Sequence, residues 1–169
     1  VLIHQPFNDY YGTYRAMEEA CKEGWIRAIG VSNFYPDRLI DLCNFVEVKP
    51  AINQVETHVF QQQAQAHEYM VKYGVQHESW GPFAEGRKDF FTNPVLMEIG
   101  KKYNKSAAQT ALRFLIQSGV VVIPKSTHKE RMIQNIDVFD FVLSGEDMLA
   151  IQALDAKESL FFSHYDPAT

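Results

Sequence analysis

Lys125 and Ser126 have side chains that could bind an anion, and their neighbours predict a suitable corner of backbone. They follow the β-branched run Val120–Ile123, whose composition is typical of a strand buried on both faces. Thr127 and Glu130 then have the spacing of a capping box, which predicts that a helix begins immediately afterwards. Free N–H groups and the positive end of the helix dipole would favour a phosphate at this corner. An ordinary strand–turn–helix with a solvated lysine explains the same residues equally well.

Four earlier strands are predicted, and each has polar side chains at its carboxyl end. The strands are Val1–His4, Ile26–Ser32, Ala51–Glu56 and Val75–Trp80. The polar residues near their ends are His4, Ser32, Asn33, Gln54, Glu56 and Glu78. In a parallel barrel the carboxyl ends of all strands meet at one rim, where active sites form. The pattern therefore predicts a polar rim that Lys125 and Ser126 join.

Amphipathic segments alternate with these strands. Helices are predicted over Thr13–Glu23, from Pro36, over Gln63–Tyr73, Pro94–Tyr103 and Ala107–Gln117, and after Ser144. This alternation predicts an α/β fold with a parallel sheet. Repeats of about two dozen residues fit either a (β/α) barrel or a doubly wound sheet. The lack of a G-x-G-x-x-G motif and the polar strand ends favour the barrel.

Composition excludes several classes of protein. The chain has 169 residues, 46% hydrophobic and 22% charged, with a net charge of −5, which is ordinary for a soluble globular domain. The negative charge argues against nucleic-acid binding, and no apolar run is long enough to span a membrane. Cys21 and Cys43 lie on the apolar sides of predicted helices, as in a reduced, cytoplasmic protein. No metal site is predicted, because metal-ligand spacing is lacking among His58, His67, His77, His128 and His164.

The sequence opens directly on a predicted strand, Val1–His4. We therefore expect a piece of a longer chain, although removal of an initiator Met before Val would give the same start. A barrel segment of five strands has two open edges. Either further strands elsewhere in the protein cover these edges, or the chain self-associates through them.

Five motifs resemble the second half of the aldo-keto reductases, in the same order and spacing. They are LIHQP, IRAIGVSNF, INQVE, SWGPFAEGR and VIPKSTHKERMIQN. The resemblance covers the whole chain. Within the family, the sequence is most similar to the bacterial reductases of the 2,5-diketo-gluconate reductase group. It implies a partial (β/α)8 TIM barrel containing about the fourth to eighth βα units. Residues 1–169 would then form a single domain, the C-terminal part of the barrel.

The resemblance also implies a cofactor and a reaction. Family members bind NADPH along the rim and transfer a hydride from its nicotinamide to a carbonyl carbon, while a Tyr supplies the proton. His4 matches the histidine that orients the substrate carbonyl. Ser32, Asn33 and Gln54 match the residues that hold the nicotinamide carboxamide. Trp80 occupies the position where the family usually stacks a Tyr on the nicotinamide ring.

The motif VIPKSTHKERMIQN contains the predicted phosphate corner at Lys125 and Ser126. It matches the residues that bind the other end of the cofactor. Lys125 and Ser126 match the contacts to the 2′-phosphate, and Arg131 matches the guanidinium that lies over the adenine. Gln134 and Asn135 match the adenine contacts, with Gln where a Glu is common. The basic residues near the ribose favour NADP(H) over NAD on charge grounds. Taken singly, these positions also have ordinary structural explanations. His4 could be a buried histidine satisfied by one backbone bond, and Asn33 and Gln54 could tie loops together. Trp80 could be a core ring, and Arg131 could be a solvated side chain.

The sequence departs from the family at its front. The catalytic Asp, Tyr and Lys of the first three βα units have no counterpart, and only His4 of the catalytic set remains. We therefore expect a polypeptide with only these residues to reduce carbonyls negligibly.

The predicted function is an NADPH-dependent oxidoreductase acting on a small aldehyde or ketone, for which this chain supplies the cofactor-binding half. The alternative is a non-catalytic NADP-binding or assembly module from a truncated reading frame. An aldolase-type Schiff-base role for Lys125 ranks last, because a capped helix suits a phosphate better than a neutral amine. Substrate selectivity in the family lies in variable loops, here Phe83–Phe91 and Phe161–Tyr165.

Overall fold

The structure is a computed structural model and describes residues 1–162. The prediction that His164 is not a metal ligand therefore lies outside the described residues. The same holds for Ser163, His164 and Tyr165 of the predicted selectivity loop Phe161–Tyr165. No helix within residues 1–162 is long and apolar enough to cross a lipid bilayer. In the same range, no three His, Cys, Asp or Glu side chains are placed to hold a metal ion.

Five short strands form one sheet in the order in which they occur along the chain. They are β1 (Leu2–Ile3), β2 (Gly30–Ser32), β3 (Ile52–Glu56), β4 (Gln76–Trp80) and β5 (Val121–Val122). β1, β2 and β3 pair in parallel, with Leu2 opposite Gly30 and Ser32 opposite Gln54. Parallel neighbours that follow one another along the chain require a crossover between them, so the α/β prediction is confirmed.

Seven helices lie between and after the strands in the described residues. They are α1 (Tyr10–Lys22), α2 (Pro36–Phe45), α3 (Ala64–Tyr73), α4 (Pro94–Tyr103), α5 (Ala107–Gln117), α6 (Lys129–Ile136) and α7 (Gly145–Gln152), with short 3₁₀ turns at Ala84–Gly86 and Phe90–Thr92. Local sequence explains several of the starts. Ser106 and Gln109 form the predicted capping box of α5, and the Ser144 hydroxyl accepts the N–H of Asp147 at the start of α7.

The described chain divides into two compact units. Unit 1 contains residues 1–55 and 63–78, and unit 2 contains residues 56–62 and 79–162. The core of unit 1 is built from residues such as Tyr14, Phe34 and Leu42. The core of unit 2 is built from the inner faces of α4 and α5 together with aromatic rings such as Phe90. Cys43 is buried and Cys21 half-buried, and both are free thiols.

The strand β5 differs from its prediction. The run Val120–Ile123 was expected to be buried on both faces, but Val121 is 42% exposed and Ile123 is 49% exposed. Within residues 1–162, β5 is the last strand in the sheet order, so in this part of the chain it has a strand neighbour on one side. The β-branched composition correctly predicts extended backbone, but the cover over a strand depends on what packs against it.

Candidate functional site

Polar residues at the ends of three strands are joined by hydrogen bonds in unit 1. The Ser32 hydroxyl donates to the Gln54 carbonyl at 2.8 Å, and the Asn33 N–H donates to the same oxygen at 2.9 Å. The Asn33 side-chain amide donates to the His4 carbonyl at 3.1 Å. The structure therefore brings together the four residues predicted for the nicotinamide end. We call His4, Ser32, Asn33 and Gln54 the amide corner.

The backbone of Asn33 explains how the corner is built. Asn33 follows β2 directly, is 3% exposed and has a φ of +60°. Asn adopts this left-handed conformation more readily than most residues. The turn brings its side chain to the end of β1. The side chain of His4 itself is exposed, so the alternative interpretation of His4 as a buried core histidine is wrong.

Glu78 was predicted only as a polar strand end, and the structure gives it a specific contact. The Gln54 side-chain amide donates to the Glu78 carboxylate at 2.5 Å. A carboxylate accepts hydrogen bonds but does not donate them, so it fixes which side of the Gln54 amide faces it. The two residues are 24 positions apart in the sequence, and no local pattern predicts this contact.

Unit 2 contains a cavity of about 490 Å³ that gathers all five residues predicted for the 2′-phosphate and adenine end. These residues are Lys125, Ser126, Arg131, Gln134 and Asn135, and we call the site the cationic cavity. The rest of the lining was not predicted for this site and consists of Phe83, Phe91, Ser106, Ala107, Ala108, Thr127 and His128. Phe83 and Phe91 are the ends of the loop that was expected to set substrate selectivity. The Ser106 capping box was the available signal, because it marks the start of a helix whose first turn has free N–H groups.

The charged groups of the cavity are available to a ligand. Lys125 and Arg131 are both exposed. Among the ion pairs of residues 1–162, neither side chain is held by a carboxylate. A guanidinium and an ammonium in one cavity with a hydroxyl provide several donors and two positive charges. This arrangement can bind a phosphate group and is unsuited to a cation.

The start of α6 differs from its prediction. Thr127 does not cap the helix; its N-cap is His128, which makes no side-chain capping bond. Instead, the Ser126 hydroxyl accepts the N–H of His128 at 3.1 Å. This serine turn satisfies a backbone donor just before the helix and shifts the helix start to Lys129. The capping box of Thr127 and Glu130 is therefore wrong, although a helix does follow.

Trp80 lies at the end of β4 in unit 2 and is half-buried. Its ring centroid is 5.1 Å from that of Phe161 at an interplanar angle of 59°. It is 6.4 Å from that of Phe162 at 22°. Trp80 is thus one wall of an aromatic cluster in unit 2, whereas the amide corner belongs to unit 1.

Comparison with known proteins gives a consistent result. The model described as "Aldo/keto reductase family" matches residues 1–156. Glyoxal reductase of Bacillus subtilis strain 168 is 48% identical over 158 residues, which are 93% of this chain and 56% of that protein. The chain therefore spans about half the length of this curated relative.

Solved structures agree in fold. An aldo-keto reductase from a Medee basin deep-sea metagenome library has a TM-score of 0.92 and 41% identity, covering 96% of this chain and 61% of the other. An aldo-keto reductase of Bombyx mori in complex with NADP has a TM-score of 0.86 and 33% identity, covering 93% of this chain and 57% of the other. The prediction of a partial barrel of this family is confirmed.

Proposed function

The chain belongs to the aldo/keto reductase family, and from this we propose that it supplies the cofactor-binding half of an NADPH-dependent carbonyl reductase. The observation that carries the proposal is the cationic cavity, which gathers the five residues that the motif resemblance assigns to one end of NADP. The chain is proposed to be a single domain, the C-terminal part of the barrel.

The cationic cavity suits the adenosine end of the cofactor. Lys125 and Ser126 would hold the 2′-phosphate, since an ammonium and a hydroxyl are its natural donors. Arg131 would lie over the adenine, because a planar guanidinium stacks on aromatic rings. Gln134 and Asn135 would contact the adenine edge with their amides. The exposed cations, which no carboxylate within residues 1–162 holds, and the size of the cavity support this assignment.

The amide corner suits the other end. Ser32, Asn33 and Gln54 would hold the nicotinamide carboxamide, which has both a donor and an acceptor and so matches hydroxyl and amide partners. His4 would donate an N–H to the substrate carbonyl oxygen and so orient it. Trp80 would stack on the nicotinamide ring in place of the usual Tyr. When bound, the cofactor supplies the hydride that reduces the carbonyl carbon.

The substrate is proposed to be a small aldehyde or ketone, a class that includes the substrate named for the glyoxal reductase relative. The proton that completes reduction requires an acid, and none of the eight tyrosines lies in the family's Tyr motif. A polypeptide with only these residues should therefore oxidise NADPH negligibly in the presence of a small aldehyde. Turnover by protein verified to contain only residues 1–169 would refute this part of the proposal.

The binding proposal is tested by titrating the chain with NADP and with NAD while following Trp fluorescence. Lys125→Ala should weaken NADP binding by about 1.5–3 kcal/mol, the range of a charge-assisted hydrogen bond, and leave NAD binding nearly unchanged. Lys129→Ala is the matched control, since Lys129 is exposed on α6 but does not line the cavity. Equal losses for NADP and NAD in Lys125→Ala would refute the 2′-phosphate role.

The second candidate is a non-catalytic NADP-binding or assembly module. The same cavity supports it, and so does the lack of a matching proton donor. It predicts NADP binding without turnover even when the chain is supplied with the remaining catalytic residues of the family. Turnover under that condition would favour the reductase.

Two further proposals concern the state of the protein. Exposed apolar side chains on β5, just after β5 and on α6 support self-association of the isolated polypeptide. They are Val121, Ile123, Met132, Ile133 and Ile136. Light scattering should detect oligomers, and a well-behaved monomer would contradict this proposal. The two free thiols support a cytoplasmic location, which cell fractionation would check.

A further inference from the structure

Unit 2 contains a buried acid–base pair that the proposed function does not use. Glu56 is 4% exposed and His58 is fully buried, and their Oε1 and Nε2 atoms are 2.9 Å apart. The Phe60 N–H donates to His58 Nδ1 at 3.2 Å. Because Nδ1 is therefore an acceptor, the ring proton lies on Nε2 and is donated to Glu56.

The Glu56 carboxylate also binds a distant part of the chain. It accepts the Ser159 hydroxyl at 2.5 Å and the Leu160 N–H at 3.0 Å, more than a hundred residues along the sequence. Burial opposes ionisation of Glu56, but the donors from His58, Ser159 and Leu160 outweigh it and keep the pKa of Glu56 below its usual value. These three donors bind one buried carboxylate, and the hydrogen bonds from Ser159 and Leu160 fix that segment to Glu56. We call this set of hydrogen bonds the clamp.

The clamped segment carries the rings that pack on Trp80. Phe161 and Phe162 follow Leu160 directly and form the aromatic contacts with Trp80 described above. Arg87 also holds this segment, because it donates to the Leu160 carbonyl and its guanidinium lies 4.3 Å from the centre of the Phe161 ring. The segment is thus fixed immediately before the two phenylalanines.

We propose that Glu56 and His58 are positioning residues that hold Ser159–Phe162 so that Phe161 and Phe162 shape the ring-binding face of Trp80. The ligand concerned is a planar pyridine ring, the nicotinamide of the cofactor. This inference rests on the proposed function, in which Trp80 stacks on that ring. Neither residue touches the ligand; they act through the segment they clamp.

The test uses Trp25→Phe as the parent protein. The chain has two tryptophans, and Trp25 is 82% exposed, so its replacement leaves Trp80 as the only indole reporter. Glu56→Gln keeps the shape of the side chain but removes its charge. In this variant the acrylamide quenching constant of Trp80 should rise by at least about twofold, since aromatic cover is lost. Glu158→Gln changes an exposed carboxylate immediately before this segment and should alter neither the quenching constant nor NADP binding.

Calorimetric titration separates positioning from general damage. Glu56→Gln should lower the affinity for NADP by about twofold to tenfold, the range of an aromatic ring contact. Adenosine 2′,5′-bisphosphate, which lacks the nicotinamide, should bind as it does to the parent. If both ligands weaken equally, or if neither weakens, the inference is wrong.

A milder variant covers the case in which Glu56→Gln fails to fold. Ser159→Ala removes one donor of the clamp and should produce the same pattern with a smaller change in both readouts. An unchanged Trp80 quenching constant in this variant would overturn the clamp. If the parent binds neither NADP nor adenosine 2′,5′-bisphosphate, the proposed function is wrong, and the ring-binding role is wrong with it. The quenching measurement then tests only whether the clamp holds the aromatic rings against Trp80.

Discussion

The amide corner and the cationic cavity use similar polar residues in opposite ways. In the amide corner, Ser32 and Asn33 are 1% and 3% exposed, and their side chains donate to backbone carbonyls of the protein. In the cationic cavity, Lys125 and Arg131 are exposed and form no ion pair within residues 1–162. The side chains of the amide corner bond to the protein itself, whereas the charges of the cationic cavity are accessible to a ligand.

This difference separates stability from affinity. Side chains that already bond to the protein contribute to folding and are pre-positioned for a ligand at little further cost. Exposed cations contribute little to folding and can give their full interaction to an anion. Substitutions in the amide corner should therefore lower the free energy of unfolding, whereas substitutions in the cationic cavity should lower ligand affinity.

The largest expected effect is at Asn33. Asn33→Ala should lower the free energy of unfolding by about 2–4 kcal/mol, because it removes a buried hydrogen bond and places Ala in a left-handed conformation. Asn33→Gly keeps the conformation accessible and should cost less. Asn135→Ala in the cationic cavity should stay within about 0.5 kcal/mol. Urea unfolding measures all three, and equal losses for Asn33→Ala and Asn135→Ala would show that the two sites contribute equally to stability.

Acid should affect unit 1 through His77. Burial and the neighbouring His67 lower the pKa of His77 to about 3. Between that value and its unfolded pKa near 6.5, the unfolded chain binds the extra proton, so stability falls as the pH drops. The loss should reach about 2 kcal/mol between pH 7 and pH 5, because the slope rises to its full value of about 1.4 kcal/mol per pH unit only below the unfolded pKa.

Urea unfolding at several pH values checks this expectation. His77→Gln removes the titrating group and should flatten the dependence between pH 7 and pH 5, even if the variant is less stable at every pH. The same slope in His77→Gln would show that another group is responsible.

The smallest expected effects form a matched pair of serines. Ser32→Ala should lower the free energy of unfolding by about 1 kcal/mol and leave the affinity for adenosine 2′,5′-bisphosphate unchanged. Ser126→Ala should weaken binding of that ligand by about 1 kcal/mol, and it should cost less stability than Ser32→Ala, because water can replace the hydroxyl at the exposed His128 N–H. Urea unfolding and calorimetry together give both numbers for both variants. A loss of stability in Ser126→Ala as large as that in Ser32→Ala would remove the distinction.

Local sequence predicted the parts of the fold that local physics controls. The starts of α2 and α4 at Pro36 and Pro94 and the Ser106 and Ser144 caps depend on residues within one turn. The exposure of β5 was not predictable, because it depends on which elements pack against the strand. The capping box at Thr127 failed because Ser126 competes for the same stretch of backbone.

The site follows the same rule. Motif resemblance predicted which residues gather in the amide corner and in the cationic cavity, but it gave no sign of their supports. The bond from Gln54 to Glu78 spans 24 positions, and that from Ser159 to Glu56 spans 103. Contacts at such separations are set by the tertiary fold and leave no spacing pattern in the sequence. The pairing of His67 with His77, at 3.1 Å between their Nδ1 atoms, was missed for the same reason.

Recognition of the 2′-phosphate of NADP by the cationic cavity can be measured with two ligands that differ only in that phosphate. Calorimetry would compare adenosine 2′,5′-bisphosphate with adenosine 5′-monophosphate. If Lys125 and Ser126 hold the 2′-phosphate, the bisphosphate should bind at least about tenfold more tightly, the value of one charge-assisted hydrogen bond. Equal affinities would show that the cavity does not recognise this phosphate.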